Sequence, residues 1–237
     1  MDKNGTDIPA TSPCLVFLSL LYFSFFALAY IFSNKEMNFF LIGTASPGSL
    51  MLPLCFIVID IVTEVYGYQI AKQVIWITLT ALFIFSCMAL LLSYLPDPGT
   101  HISAYTPSIY YRTVFTPLPE IFLFASIGYV IGIFVNAALI AKWKFMLKGR
   151  YFWLRSLGSS TIGEFIFTLI GVTLICVGHF PLYLTIQFII SSYLIKLASS
   201  IVYTYPAAII TGILKKRMSP LKRSHSVSFN PFSKPFG

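Results

Sequence analysis

The chain has 237 residues, of which 57% are hydrophobic and only 10% are charged, and its mean hydropathy is +0.82. A soluble domain carries about 25% charged residues, so a water-soluble class is excluded and a membrane protein remains. The formal net charge of +8 follows from the Lys and Arg that membrane proteins collect in cytoplasmic loops, and it does not point to a nucleic-acid partner.

In chain order, the first thirteen residues, MDKNGTDIPATSP, are polar. They lack the basic region of a signal peptide, and no small-residue cleavage site follows the next apolar run, so that run is expected to stay as the first helix. Apolar runs of about 20 residues, the length a helix needs to cross about 30 Å of hydrocarbon, recur over roughly 14–33, 39–66, 70–95, 119–141, 157–178 and 181–213. These runs are solid rather than alternating, which argues against a β-barrel. The predicted fold is all-α: a polytopic membrane protein with six transmembrane helices.

The second and sixth runs exceed what a bilayer needs and should tilt, kink or break. The second contains GTASPGS at 43–49 and then Pro53, so it is predicted to be broken. Irregular backbone survives in a membrane only where protein or a cavity satisfies it. The sixth contains Pro206. Three regions follow: an N-terminal cytoplasmic segment (1–13), a six-helix transmembrane domain (14–213) and a basic, disordered cytoplasmic tail (214–237).

Positive charge sets the orientation. The loop after the fourth run carries Lys142, Lys144, Lys148, Arg150 and Arg155, and the tail carries Lys215, Lys216, Arg217, Lys222, Arg223 and Lys234. Both are expected in the cytoplasm, together with both termini and a short turn bearing Lys72. The loop 96–119, with one Arg, faces the other way.

Against this apolar background a few polar residues stand out. Asp60 and Glu64 lie four residues apart, about 40° around a helix axis, and so share a face with Pro53 and Ile57. The fifth run carries a stripe of Ser160, Thr161, Glu164, Thr168 and Gly171, and the sixth carries Lys196 with Tyr193, Ser200 and Tyr203 on its face. The fourth carries Asn136 and a GxxxG at Gly128 and Gly132, a pattern that brings helices close together. Charges at bilayer depth cost several kcal/mol unless paired or hydrated. The simplest common explanation is convergence of three acids and a lysine on one polar cavity. The alternative is a set of interhelical bonds, Lys196 with Glu164 for example, with no further role.

Hydrolytic chemistry finds little support. His101, His179 and His225 are the only histidines, and none lies deep in a run beside an acid. Cys14, Cys55, Cys87 and Cys176 lie in apolar stretches without CxxC or Cys/His spacing, so no metal or other cofactor is expected. Binding or transport fits better. A buried carboxylate accepts two parallel N–H groups well, and guanine-like bases offer that pair on one edge.

The stretch DIVTEVYGYQIAKQVIW closely resembles the signature of the queuosine precursor transporter family, grouped with the vitamin uptake transporters, through Asp60, Thr63, Glu64, Tyr66, Gly67, Lys72 and Trp76, with Pro53 before it. PEIFLFASIGYVIGIFVNAALIAKWK resembles the family's fourth helix through Ser126, Gly132, Asn136, Lys142 and Lys144. RSLGSSTIGEFIFTLI matches at Arg155, Ser159, Gly163 and Glu164, and the closing helix matches at Lys196, Pro206 and the last basic cluster. The resemblance covers most of 39–217. It implies six helices in the bacterial inner membrane and uptake of 7-cyano- or 7-aminomethyl-7-deazaguanine, or queuine, for tRNA modification. The chain departs from the family pattern at Phe167 and Ile133, where many members carry acids, and this weakens the fit to a cationic ligand.

The combined expectation is a transporter, not an enzyme. Asp60 and Glu164 would bind the N–H edge of a purine-like small molecule, with Asn136 and Lys196 adding contacts. Glu64 and Tyr66 would shape the cytoplasmic exit. Membrane lipid is the other partner, and a homodimer is compatible with the sequence. The rival is a membrane subunit that binds a vitamin-like molecule and needs an energising partner; transport by the chain alone in liposomes separates the two.

Overall fold

The computed structural model describes residues 12–39, 42–96, 108–177 and 179–217. The helices are α1 (Pro13–Ile31), α2 (Gly48–Tyr66), α3 (Tyr68–Ser93), α4 (Ser108–Phe115), α5 (Leu118–Met146), α6 (Phe152–Phe167), α7 (Thr173–Cys176) and α8 (Leu182–Arg217). A 3₁₀ turn (Phe32–Asn34) follows α1, and a π-helical turn (Thr168–Val172) joins α6 to α7. Two short strands, β1 (Met37–Phe39) and β2 (Gly43–Ala45), pair antiparallel with Asn38 opposite Thr44.

Six helical segments are long and apolar enough to cross a membrane: Pro13–Asn34, Gly48–Tyr66, Tyr68–Ser93, Ser108–Met146, Phe152–Cys176 and Leu182–Lys216. Phe17, Leu20, Ile77, Ile84, Leu182, Ile201 and Val202 are exposed on their outer faces, a display of apolar surface suited to lipid rather than water. The expected irregularity in the second run falls at its start, where β1 and β2 pair. The helix that follows is continuous through Pro53. Likewise α8 continues through Pro206 and on to Arg217, which extends ordered helix past the expected boundary at 213. The rest of the tail, the first eleven residues and residues 97–107 of the loop 96–119 lie outside the described residues. His101, His225, Lys222, Arg223 and Lys234 go with them.

The ends of the helices are fixed by specific contacts. At one end the Ser12 and Tyr66 hydroxyls meet at 3.2 Å, and Lys144, Arg155 and Lys215 gather on Glu64. At the other, Tyr30 meets Ser86 at 2.9 Å and the Leu118 carbonyl. There Ser46 donates to the Phe32 carbonyl, Asn34 to that of Val114 and Ser191 to that of Ile42. These ends are called the basic end and the far end below.

α2 is the hub. It packs against α1, α3, α5, α6 and α8, and its residues from Leu52 to Glu64 are buried on nearly every side. The face of α2 away from the acids therefore meets other helices, not lipid. One residue, Gly67, separates α2 from α3, with φ +93° and ψ 164°. This conformation is essentially restricted to glycine, and it lets two long helices turn back on each other without a loop. Lys72, expected on that turn, lies inside α3 and is buried.

The GxxxG expectation describes a close backbone seam of the fold. A Cβ on Gly128 would lie 2.5 Å from the Gly171 nitrogen, and one on Gly132 would lie 2.4 Å from the Gly163 carbonyl oxygen. Backbone therefore meets backbone between α5 and the α6 segment, and no side chain can yield. Gly132→Val should force the helices apart at a cost of about 1–3 kcal/mol, as overpacking does, read as a lower thermal unfolding midpoint in lipid nanodiscs. An unchanged midpoint would mean that the seam is not a stability determinant.

Candidate functional site

The buried polar side chains form three layers that climb from the basic end, about one helical turn or 6 Å apart. In the first layer, Arg155 grips Glu64 with both terminal nitrogens, Nη1 to Oε2 at 3.0 Å and Nη2 to Oε1 at 3.1 Å. The Lys215 ammonium bonds Oε1 as well. Lys144 donates to the Glu64 main-chain oxygen at 2.7 Å, with its nitrogen 3.9 Å from Oε2. Arg155 is wholly buried and also donates to the Arg150 and Ile140 carbonyls. The side chains of Lys144 and Lys215 are 39% and 38% exposed, so solvent reaches them and not Arg155.

The second layer centres on Asp60, which is fully buried. Its Oδ1 accepts from Asn136 Nδ2 at 2.6 Å, and its Oδ2 accepts from Ser156 at 2.5 Å and from Ser160 at 3.1 Å. The third layer holds Glu164, Ser200, Thr168 and Lys196. Ser200 donates to Glu164 Oε1 at 2.7 Å, while Oε2 has no hydrogen-bond partner. Lys196 donates to Thr168 Oγ1 at 2.8 Å, and its ammonium sits 4.5 Å from the centre of the Phe167 ring. Among the described residues Lys196 and Glu164 form no ion pair, which differs from the direct pair weighed from the sequence.

Above the third layer a cavity of about 300 Å³ opens toward the far end. Small-molecule pockets begin near about that size. Phe167, Ser192 and Lys196 form its floor, Phe26 and Phe124 stand in its walls, and the exposed Glu36 and Glu120 lie at its mouth. Of the residues expected to bind substrate, only Lys196 lines this cavity, together with Phe167, where the chain departs from the family pattern. Asp60, Glu64, Asn136 and Glu164 lie beyond its floor, so the expected single shared cavity is instead a cavity followed by three polar layers. Tyr66 stands at the basic end against Ser12. Ile133 is fully buried.

Several partners escaped the sequence reading. Ser156 could have been found, because Ser156, Ser160, Glu164 and Thr168 recur at four-residue spacing on one face of α6 and its extension. Thr161, included in the expected stripe, is off that face and donates to its own helix at the Leu157 carbonyl. Arg155 looked like one more loop charge. Lys144 and Lys215 fell within the stretches that resemble the family, yet nothing in the sequence pointed to Glu64 as their partner. Among the described residues, no group of His, Cys, Asp or Glu is placed to hold a metal.

Six helices long and apolar enough to cross a membrane, with buried polar layers and a cavity at one end, define a multi-pass membrane protein. The sequence profile of the family described as "Putative vitamin uptake transporter" matches residues 46–210, and the chain belongs to that family. This stretch holds all three layers except Lys215. A curated relative from Bacillus subtilis (strain 168), named "Probable queuosine precursor transporter", is 26% identical over 175 residues, covering 69% of this chain and 72% of the relative. No solved structure matches the chain.

Removing the Glu64 charge leaves Arg155 buried without its counter-ion, the costly half of a broken buried pair at about 3–5 kcal/mol. Glu64→Gln should therefore lower the thermal midpoint strongly, and Glu64→Leu combined with Arg155→Leu should recover much of the loss. A double variant that adds the two single losses in full would show that the pair is not coupled.

Proposed function

We propose that the protein imports a 7-deazaguanine precursor of queuosine across the bacterial inner membrane, with both termini in the cytoplasm. The observation that carries the reading is the cavity, which enters from the far end and stops above polar layers that run on to the basic end. Under the positive-charge rule the basic end is cytoplasmic, so the cavity faces outward and the Glu64 layer closes the inner side. The name of the Bacillus relative supplies the substrate class.

In this reading the substrate enters the cavity and meets Lys196. It then exchanges its own groups for those now held on Glu164 and Asp60. Two carboxylates along the path suit the amino and ring N–H edge of a guanine-like base, and Asn136 adds a donor and an acceptor beside Asp60. The base leaves past Glu64 and Tyr66 once the helices gathered there part. Such alternation about a central site is how transporters with midplane sites work.

The test is rescue. Bacteria that cannot make the precursor and lack their own importer should regain queuosine in tRNA when they express this chain and receive one of the bases at low concentration. Asp60→Asn, which removes the charge and keeps the shape, should abolish that rescue while the protein still reaches the membrane. Full rescue by Asp60→Asn would remove Asp60 from the path. No queuosine with any base, despite confirmed insertion, would overturn the substrate assignment.

A further inference from the structure

We infer that the floor of the far-end cavity is a docking site for a planar heteroaromatic ring with two adjacent hydrogen-bond acceptors, received by Ser192 and Lys196 with the ring lodged against Phe167. The inference rests on the transport reading above, and adds where the ring first binds and which edge it offers.

Ser192 is the observation that motivates it: of the two buried hydroxyls on α8 without a hydrogen-bond partner, Ser192 and Thr211, only Ser192 lines the cavity. The residue is 1% exposed, lines the cavity, and its hydroxyl has no hydrogen-bond partner. A serine or threonine in an apolar helix ordinarily donates to the carbonyl four residues back. On this same helix Thr185 does so to Pro181 and Thr204 to Ser200, at 3.3 Å and 2.6 Å. Ser192 does not. A buried hydroxyl left unpaired is costly, and a ligand in the cavity is the partner within reach.

Lys196 lies one turn further along the same face of α8. An ammonium has three donors; one goes to Thr168 at 2.8 Å, and among the described residues no carboxylate lies within ion-pair distance of it. The acids that line the cavity, Glu36 and Glu120, are at the mouth. The floor thus presents donors and one positive charge, enclosed by the rings of Phe26, Phe124 and Phe167. Aromatic walls receive a flat ring, and donors at the bottom receive acceptors.

Such a floor discriminates. In a 7-cyano-7-deazaguanine the ring carbonyl and the nitrile are neighbouring acceptors on one edge. In the 7-aminomethyl compound that edge carries an ammonium, which would be driven against Lys196. The site therefore favours the neutral cyano base.

The experiment uses the full chain in lipid nanodiscs, titrated calorimetrically with each of the two bases, with uptake measured in parallel in proteoliposomes. The wild type should bind the cyano base more tightly. Ser192→Ala should weaken that binding about tenfold, one hydrogen bond to a buried partner, with the thermal midpoint of the ligand-free protein unchanged or raised. Lys196→Gln should narrow the preference between the two bases. Should Ser192→Ala fail to fold, the wild-type preference still decides. Equal or tighter binding of the aminomethyl base, or a folded Ser192→Ala that binds the cyano base like the wild type, overturns the docking site. If the wild type nonetheless imports a base, the transport reading stands and only the docking site falls. If the wild type neither binds nor imports any base, the transport reading falls and this inference with it.

Discussion

A carboxylate taken into a bilayer must bring its partners with it, and Glu64 is held by three cations from three other helices. The desolvation cost of each buried ion is several kcal/mol, and a bidentate guanidinium is the geometry that best repays it. The consequence is architectural. The end of α2, the ends of α5 and α8 and the start of α6 cannot separate without exposing or orphaning a charge. One side chain therefore gathers four helices at the basic end, and the fold is closed there.

Among the described residues no comparable cluster of charges gathers the far end. The contacts there are bonds from Tyr30, Asn34, Ser46, Arg112 and Ser191 to main-chain oxygens, with Tyr30 also meeting Ser86. Helices drawn together at one end and bridged by short elements at the other leave space between them, and the cavity lies in that space. Along one side the α5–α6 seam resists adjustment, because its glycines bring main chain against main chain. α8 is different. Its link to Glu64 runs through Lys215, whose partly exposed ammonium is hydrated when released, whereas Arg155 has no such refuge. The element best able to leave the closed end at low cost is α8, which also carries Lys196 and Ser192.

Much of this was legible in the sequence because membrane spans and buried charges are both expensive and so leave strong marks. The six runs, the glycine pair on α5 and the polar face of α2 followed from length and spacing alone. What failed to show was partnership. Arg155 reads as a loop residue because positive charge at a helix start is ordinary in a cytoplasmic connection, and only the approach of α2 converts it into a buried ligand of Glu64. Asp60 and Glu64 share a face, yet they belong to different layers because α6 offers serines at one height and an arginine at the other. The pairing of Lys196 with Glu164, natural on charge alone, is replaced by Thr168 and the Phe167 ring. Interhelical register decides these matters, and one chain read residue by residue does not contain it.

The three acids differ in how completely the protein satisfies them, and the order is informative. Glu64, furthest from the cavity, is saturated by charged donors. Asp60, in the middle, is satisfied by three neutral ones from Asn136, Ser156 and Ser160. Glu164, nearest the cavity, keeps one oxygen unbonded, and beyond it the Ser192 hydroxyl at the floor is unbonded as well. Exchanging a protein partner for a ligand group costs least where a partner is missing and most where a buried ion pair must be broken. Among the acids, the one nearest the cavity is therefore the most receptive and the one at the basic end the most resistant, although the buried Thr211 hydroxyl toward the basic end is unbonded too. That gradient lets a ligand be accepted before the barrier behind it yields, which a transporter needs if it is not to become a channel.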